Sequence, residues 1–459
     1  MGLITTINPS TEEVYGVIEE NSNEEINEII RKAKNDKTWP LMSIDERVRI
    51  IEKLVGILEE HTETISKTMA GEIGKPLKAG RHEVEISNKR VREFCNLVPV
   101  FIQDEEIFEN DIERNYIRYE SIGTVVIISP WNAPVFVSLA SIIPALLCGN
   151  NVIWKPSEYA IFSCLELNKL FDILKKEGLP DVAFQIVIGG KEIGKYLVES
   201  DIDFVSLTGS IIAGKEVFEN CAQKLHKFVL ELGGKDPAII LEDADLDKCA
   251  KEIVKSATMY TGQVCFGVER VYCAEKRYDE FVQKCVDEIK KIKVGDPFNE
   301  EMDMGQFSVK FQLEKVLLHI NDALQKGAKI LYGGTKIGNK GYFLSPAVIV
   351  NVNHSMLIMN EETFGPVIPI IKVNDVNEAI RLANDSIYGL TASVWTSDLM
   401  KGEEIAKRIE AGTVEINRHG MSKAGCPWGG YKMSGIGRIY SKEGVRNFCN
   451  IKHVWVVKR

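Results

Sequence analysis

Short apolar runs alternate with amphipathic helical stretches from Gly123 onward, and this rhythm limits the possible folds more than any other feature. The predicted strands of this part are Thr124–Ile128, Val152–Trp154, Gln185–Ile188, Phe204–Leu207 and Phe228–Leu230. Such alternation is typical of a doubly wound parallel sheet, the usual binding site of a dinucleotide. A second alternation follows Gly233, and 459 residues are too many for one compact core. We therefore predict an α/β protein with two domains.

Two stretches outside this alternation predict an extended arm. Residues 97–120 alternate roughly between apolar and polar side chains, which indicates a pair of strands too polar for a core. Val454–Val457 is an apolar strand at the end of the chain, and it needs a partner. Between residues 23 and 96, helical periodicity dominates.

Charge and cysteine usage exclude several classes of protein. A net charge of −10 argues against nonspecific nucleic-acid binding and against attachment to an anionic membrane surface. The ten cysteines and seven histidines lack the spacing of metal ligands, so we predict no metal site. Scattered cysteines suit a reducing compartment, and the N-terminus has no signal-peptide pattern. We expect a cytoplasmic protein.

Cys265 is the candidate nucleophile. A helical pattern from Leu246 to Tyr260 must end at Gly262, because glycine favours helix ends. Cys265 then follows in a turn, where a thiol can be presented to a ligand. The alternative is that Cys265 is a small buried hydrophobe, which is the commoner role of a free cysteine.

Two polar residues at strand ends are candidates for the same chemistry, since ligands bind at the carboxyl ends of strands in such sheets. Asn132 offers an amide donor for a developing oxyanion. Glu231, which precedes Gly233-Gly234, is a candidate general base. The alternatives are a plain turn at Asn132 and a salt-bridged surface carboxylate at Glu231.

Three further stretches have the composition of a nucleotide site. Lys155 and Glu158 follow a strand and can contact a ribose. The segment Gly209–Gly214 opens a helix whose N-terminus attracts a pyrophosphate. Glu362 can accept from ribose hydroxyls, and Phe364 can lie against a ring. Each stretch also has an ordinary interpretation as a surface turn or a helix end.

Together, and in this order, these stretches resemble the aldehyde dehydrogenase superfamily. The resemblance extends to Pro427–Arg438 and so covers nearly the whole chain. It implies a Rossmann-like cofactor domain, an α/β catalytic domain and a β oligomerisation arm. The implied boundaries are 1–102 and 122–232 for the cofactor domain, 233–430 for the catalytic domain, and 103–121 and 440–459 for the arm.

The resemblance also implies roles for individual residues. Cys265 is then the nucleophile, Glu231 the general base, and Asn132 part of the oxyanion hole with the backbone N–H of Cys265. The implied cofactor is NAD+, with NADP+ as a second candidate. The implied contacts are Lys155 and Glu158 at the adenosine ribose, Gly209 and Ser210 at the pyrophosphate, and Glu362 and Phe364 at the nicotinamide ribose. Trp131, Gly214 and Leu232 are further implied contacts of the cofactor. The implied substrate pocket contains Val137, Ala140, Val264, Phe266 and Arg418.

The implied reaction oxidises an aldehyde to the carboxylic acid through a thiohemiacetal and a thioester on Cys265, with hydrolysis by water that Glu231 activates. The substrate is a small, hydroxylated or semialdehyde-type aldehyde, and the enzyme is a homodimer or homotetramer. Ala140 stands where members specific for succinate semialdehyde often carry an arginine, which weakens that assignment.

Three other functions are weighed against this one. Coenzyme A-acylating semialdehyde dehydrogenases resemble this chain but typically lack the glutamate at position 231, so Glu231 favours water as the acyl acceptor. A thiol esterase or acyl-transferase leaves the cofactor stretches unexplained. A non-catalytic scaffold has no need of Cys265, Glu231 and Asn132 together.

Overall fold

A computed structural model describes residues 2–420 and 422–458. Its strands are β1 Leu3–Ile7, β2 Val14–Glu19, β3 Glu105–Glu109, β4 Glu113–Ser121, β5 Thr124–Ile128, β6 Asn151–Lys155, β7 Phe184–Ile186, β8 Phe204–Thr208, β9 Lys227–Glu231, β10 Asp236–Ile240, β11 Val268–Ala274, β12 Lys329–Tyr332, β13 Ala347–Val350, β14 Val367–Val373, β15 Thr391–Trp395, β16 Thr413–Ile416, β17 Gly435–Ile436 and β18 Cys449–Val457.

Helices connect most of these strands. They are α1 Asn23–Asn35, α2 Thr38–Leu41, α3 Ile44–Glu52, α4 Leu54–Glu60, α5 Thr62–Ile73, α6 Leu77–Phe101, α7 Phe136–Leu147, α8 Ile161–Lys176, α9 Lys191–Glu199, α10 Ile211–Lys224, α11 Leu246–Thr258, α12 Tyr278–Ile289, α13 Lys310–Gln325, α14 Leu357–Asn360, α15 Val376–Asn384, α16 Leu399–Ala406 and α17 Lys442–Arg446.

The first large sheet has the strand order β17-β9-β8-β5-β6-β7, and all its pairs are parallel except β17 with β9. Side chains of a strand alternate between the two faces of a sheet. Val125 and Ile127 accordingly pack in one core cluster with helices α3 to α8, while Val126 packs in another with α1, α9 and α10. The predicted parallel α/β sheet is confirmed.

The second large sheet has the order β12-β13-β14-β11-β10-β15-β16 and is parallel except for β12 with β13. Ile239 contributes to one core cluster with α13 and α15, and its neighbours Ala238 and Ile240 contribute to the other with α11 and α12. Both faces are therefore covered, as the near-continuous apolar sequence of these strands requires.

A separate ribbon contains β18, β4 and β3 in that order, with antiparallel pairing from Cys449–Ser121 to Val457–Glu113. The predicted strand pair and its terminal partner are confirmed, but two bounds differ. Residues 97–101 belong to the end of α6, where Val98 packs into the core. Tyr440 and Phe448 also pack in the core of the first sheet, so the chain joins the ribbon only at Cys449. The division into domains stays a prediction.

Candidate active site

The candidate residues lie where the carboxyl end of the first large sheet faces the amino end of the second. Glu231 ends β9, and the two glycines after it lead directly into β10 at Asp236. Cys265 lies three residues before β11, and Glu362 lies five residues before β14. The topology thus brings together residues that are far apart in the sequence.

The turn that carries Cys265 follows an unusual end of α11. Asp245 caps the start of this helix by accepting from the backbone N–H of Lys248 over 3.2 Å. The helix stops at Thr258, earlier than the predicted end, because Tyr260 and Thr261 have left-handed backbones with φ of 49° and 62°. Such conformations are strained for residues with side chains and persist where tertiary contacts fix them.

Two glycines let the neighbouring loops touch this turn. The α-carbon of Gly262, with φ of 73°, lies against the backbone of Gly365, and that of Gly234 lies against the carbonyl oxygen of Cys265. A Cβ at either position meets main-chain atoms, so only glycine fits. The turn of Cys265 is therefore in backbone contact with both the Glu231 segment and the Glu362 segment.

The thiol of Cys265 is surrounded by acidic groups. Burial raises its pKa, and the carboxyl groups of Asp236, Glu362 and Glu231 raise it further. Both effects disfavour the thiolate, which is the nucleophilic form. The resting enzyme therefore holds a protonated thiol that needs an activating charge or base.

Glu231 is a buried carboxyl group without ordinary partners. It is 5% exposed, and neither oxygen has a hydrogen-bond partner in the described part of the chain. Burial raises its pKa well above the usual range, and Arg438 opposes that shift only in part. A carboxyl group in such a place is unusual for a structural residue and suits a proton acceptor.

Asn132 lies beside the nucleophile turn. Its side-chain nitrogen donates to the carbonyl oxygen of Gln263 over 2.7 Å, two residues before Cys265. The second N–H of the amide is left for another acceptor. The structure therefore joins Asn132 to the turn of Cys265, as an oxyanion donor requires.

The residues predicted to contact the nicotinamide half of a cofactor also meet. The rings of Trp131 and Phe364 pack edge to face, with centroids 5.7 Å apart and planes at 90°. Glu362 accepts from the backbone N–H of Gly234 over 3.1 Å. Burial raises the pKa of Glu362 to about 7, and the charge of Glu269 adds to the shift.

The residues predicted for the other half of a cofactor line the carboxyl end of the first sheet. Lys155, at the end of β6, is buried with its ammonium 3.6 Å from a carboxylate oxygen of Glu158. Ser210 caps α10 by accepting from the N–H of Ala213 over 3.2 Å, and Gly209 precedes it. Gly214, in α10, packs against Leu232. A Cβ on Gly214 would lie only 2.7 Å from the Leu232 side chain. Gly214 thus has a packing role that the sequence did not indicate.

The predicted substrate residues divide into two groups. Ala140 and Val264 are buried, Val137 is half-buried, and Phe266 packs edge to face on Trp428 with centroids 5.8 Å apart. Arg418 differs from them, because its side chain is 52% exposed and pairs with Glu415 over 3.1 Å. The Arg418 side chain therefore points toward solvent. This exposure gives no support to the prediction that Arg418 lines the substrate pocket.

Several residues near the site were not singled out from the sequence. The Trp428 and Tyr440 rings lie next to each other at 6.4 Å, and the guanidinium of Arg90 lies 4.2 Å from the Tyr440 ring centroid. Lys75, which follows Gly74, and Lys235, which follows Gly234, form buried pairs with Glu83 and Glu269. The position of Lys75 between a glycine and a proline is a sequence signal that could have drawn attention to it.

The described residues contain no cluster of three or more His, Cys, Asp or Glu side chains that fits a metal ion. Residues 243–247 have the pattern Asp-x-Asp-x-Asp, which resembles the start of a calcium-binding loop. Asp243 in this pattern accepts from the backbone and hydroxyl groups of Ser397. None of the described helices is long and apolar enough to cross a membrane.

A family model for the aldehyde dehydrogenase family matches residues 2–454 of this chain. The chain is 36% identical to the peroxisomal aminoaldehyde dehydrogenase 1 of Pisum sativum over an alignment of 464 positions, which covers 98% of this chain and 92% of that protein.

Solved structures agree in fold along the whole length. A structure of betaine aldehyde dehydrogenase from Staphylococcus aureus in complex with NAD+ is 30% identical, with a TM-score of 0.93 over 100% of this chain and 92% of that one. An NADP-dependent enzyme from E. coli is also 30% identical, with a TM-score of 0.95 over 99% of this chain and 95% of that one.

Proposed function

Because the chain belongs to the aldehyde dehydrogenase family, and is therefore an NAD(P)+-dependent oxidoreductase that converts a small aldehyde to an acid, we propose that Cys265, Glu231 and Asn132 perform the reaction. This assignment rests on one observation: the loops of Asn132 and Glu231 both contact the turn that contains Cys265. Gly234 touches the Cys265 carbonyl, and Asn132 bonds to Gln263.

The first step is attack of the Cys265 sulfur on the aldehyde carbon. The thiol transfers its proton to solvent water, a C–S bond forms, and the carbonyl electron pair moves to oxygen. The free N–H of the Asn132 amide and the backbone N–H of Cys265 then stabilise this oxyanion. Neutral donors of this kind act on charge as it develops and need no reorganisation.

Bound NAD+ would supply the acceptor for the hydride that leaves the former aldehyde carbon as the thioester forms. The residues that would hold the cofactor are Trp131, Lys155, Glu158, Gly209, Ser210, Leu232, Glu362 and Phe364. The available helix N-terminus at Ser210, with Gly209 lacking a side chain before it, fits a pyrophosphate.

Glu231 completes the cycle as a general base. Its unpartnered oxygens are free to take a proton from water, which attacks the thioester carbon, and the C–S bond breaks to release the acid and the thiolate. Once ionised, Glu231 is a stronger base than an exposed carboxylate, because burial raises its pKa.

The test is the absorbance of reduced nicotinamide, recorded with purified protein, a panel of aldehydes and either NAD+ or NADP+. We expect activity that disappears in Cys265→Ala and persists in Cys285→Ala, which removes a buried thiol on α12 away from the site. Full activity in Cys265→Ala contradicts the assignment of the nucleophile.

The substrate is proposed to be a neutral hydroxylated aldehyde or a semialdehyde with an acidic end. Arg90 supports this choice. It is 5% exposed, it lies against the rings of Phe136 and Tyr440 at 5.4 and 4.2 Å, and it donates to the Ser422 hydroxyl over 3.1 Å. Its Nη1 has no hydrogen-bond partner among the described residues. Glu93 lies 3.1 Å from Nε and offsets part of the charge.

The Trp428 and Tyr440 rings separate this buried cation from Phe266, and a cation there disfavours a positively charged aldehyde. Although Ala140 lacks the arginine that members specific for succinate semialdehyde often carry, the charge of Arg90 leads us to expect kcat/KM for a four-carbon aldehyde to fall in the order carboxylate-bearing, hydroxylated, amino-bearing. Arg90→Met should reduce the preference for the carboxylate, whereas Arg92→Met, an exposed neighbour on α6, should not. Preference of the wild type for the amino-bearing compound contradicts this proposal.

We propose further that the ribbon of β3, β4 and β18 joins copies of this chain, and that the protein works in the cytoplasm. Ile107, Ile451, Trp455 and Val457 are all more than half exposed on the ribbon, and such apolar edges favour pairing. All ten cysteines are free thiols, which suits a reducing compartment. Light scattering of the wild type against Ile451→Lys and Trp455→Lys tests the first point, and cell fractionation tests the second.

A further inference from the structure

Two buried lysine–glutamate pairs lie on opposite sides of the active site. The side chains of Lys75 and Glu83 are 2% and 0% exposed, and those of Lys235 and Glu269 are 0% and 7% exposed. Burial of an ion pair is often no more stabilising than apolar packing, because both charges lose their hydration. Stability alone therefore does not explain why these two charged pairs are buried, and their contacts indicate another role.

The first pair joins the Asn132 loop to the nucleophile turn. Glu83 accepts from the backbone N–H groups of Val135 and Phe136 over 2.9 and 3.1 Å, at the start of α7. Lys75 bonds to Glu83 and donates to the carbonyl oxygen of Asn132 over 2.8 Å. Its ammonium also lies 3.8 Å from the centre of the Tyr260 ring.

These contacts fix the oxyanion donor from two sides. Tyr260 is one of the two strained residues just before the turn of Cys265, and Asn132 bonds to Gln263 in the same segment. A single buried ammonium thus holds the loop of the donor and the approach to the thiol at a constant separation.

The second pair has the same design on the cofactor side. Glu269 accepts from the backbone N–H groups of Thr363 and Phe364, both over 2.7 Å. Lys235 donates to Glu269 over 2.6 Å and to the Thr363 hydroxyl over 2.9 Å. Phe364 has a left-handed backbone with φ of 54°, which these bonds maintain.

We propose that the two pairs are positioning residues with separate tasks. Lys75 and Glu83 hold the oxyanion donor Asn132 at the thiol, and Lys235 and Glu269 hold Glu362 and Phe364 against the nicotinamide ribose. The proposal rests on the function assigned above to Cys265, Asn132 and Glu362. It requires that damage to one pair affect acylation and damage to the other affect cofactor binding.

Two assays separate these effects. Hydrolysis of p-nitrophenyl acetate without cofactor needs the thiol and the oxyanion donor, whereas the KM for NAD+ in aldehyde oxidation reports the ribose contacts. In Lys75→Met and Glu83→Gln, we expect ester hydrolysis and kcat to fall about 10- to 100-fold, with the KM for NAD+ within about twofold of the wild type. In Lys235→Met and Glu269→Gln, we expect that KM to rise about tenfold, with ester hydrolysis nearly unchanged.

Glu72 supplies a matched control. This buried carboxyl group accepts from two successive backbone N–H groups at the start of α8, Phe162 and Ser163, over 2.8 and 2.7 Å. Glu72→Gln therefore repeats the chemical change of Glu83→Gln at a helix start that carries neither Asn132 nor the turn of Cys265. We expect it to lower the Tm and to leave ester hydrolysis unchanged per active site.

Each rate is divided by the concentration of reactive Cys265 thiols, so that misfolded protein in a variant sample does not lower its measured activity. Where a methionine variant fails to fold, Lys75→Arg and Lys235→Arg retain the charge and should give a milder form of the same selective loss. The proposal is overturned if variants of both pairs lose ester hydrolysis and raise the KM for NAD+ to the same extent. It is also overturned if neither quantity changes in the variants of either pair. Ester hydrolysis that survives in Cys265→Ala would instead contradict the proposed function. In that case the KM for NAD+ in the variants of both pairs still tests whether Lys235 and Glu269, but not Lys75 and Glu83, position the cofactor contacts.

Discussion

The side-chain amide of Asn132 donates to the backbone carbonyl oxygen of Gln263 over 2.7 Å. The side-chain oxygen of Gln263 in turn accepts from the backbone N–H of Ser308 over 3.1 Å. The amide therefore already has a fixed orientation beside Cys265. A donor that is fixed before the reaction stabilises an oxyanion better than one that must reorient.

Replacement of this amide should slow acylation. In Asn132→Ala we expect kcat for aldehyde oxidation and for ester hydrolysis to fall about 100- to 1000-fold, because one oxyanion donor is lost. The KM for NAD+ should change little. Asn132→Asp keeps the volume and should be at least as inactive, since a carboxylate repels the oxyanion. Near-normal ester hydrolysis in Asn132→Ala would exclude this role.

Glu231 should control release of the acid. In Glu231→Gln we expect steady-state turnover to fall about 100-fold or more, which is the usual contribution of a general base. Rapid mixing should still show a burst of one reduced nicotinamide per active site, because acylation precedes the step that needs the base. A variant with slow turnover and no burst would place Glu231 before the thioester instead.

The thiol should become more reactive when the cofactor binds. Burial and the nearby carboxyl groups raise the pKa of Cys265, so alkylation by iodoacetamide at pH 7 should be slow and should accelerate as the pH rises. The positive charge of the oxidised nicotinamide favours the thiolate, so saturating NAD+ should increase the rate. Mass spectrometry measures Cys265 and the exposed Cys426 in one sample, and Cys426 should show no such increase.

Cofactor affinity should depend on pH through Glu362, whose pKa is raised to about 7. Only the carboxylate accepts two ribose hydroxyl bonds, and the charged fraction increases as pH rises through that value. We expect the Kd for NAD+, measured by quenching of tryptophan fluorescence, to decrease about tenfold between pH 6 and 8. In Glu362→Gln the Kd should be higher and nearly independent of pH. A wild-type Kd that increases over this range would contradict the assignment.

Glu158 should decide between the two dinucleotides. A carboxylate next to the 2′ position repels a 2′-phosphate, while Lys155 partly offsets its charge at 3.6 Å. We therefore expect a moderate preference for NAD+ in the wild type. Glu158→Gln should raise kcat/KM for NADP+ about tenfold with little change for NAD+, whereas Glu166→Gln, on the following helix α8, should affect neither.

The sequence by itself determined the parallel strands of both large sheets and the order of the site segments, but not the antiparallel edge strands β12 and β17. Val125 to Ile127 and Ala238 to Ile240 are apolar without interruption, and only a strand covered on both faces accommodates such a run. The polar residues at the strand ends, such as Asn132 and Glu231, were recognisable because parallel strands bring their carboxyl ends to one edge.

Only the tertiary structure decided how these segments meet. The end of α11 at Thr258, the exposure of Arg418 and the buried pair of Lys75 with Glu83 all depend on residues distant in the chain. Tyr260 leaves the helical backbone, and its ring lies beside the Lys75 ammonium. Local periodicity predicts which face of an element is apolar, but it carries no information about which distant charge or backbone will lie against it, and at this site those distant contacts position the reacting groups.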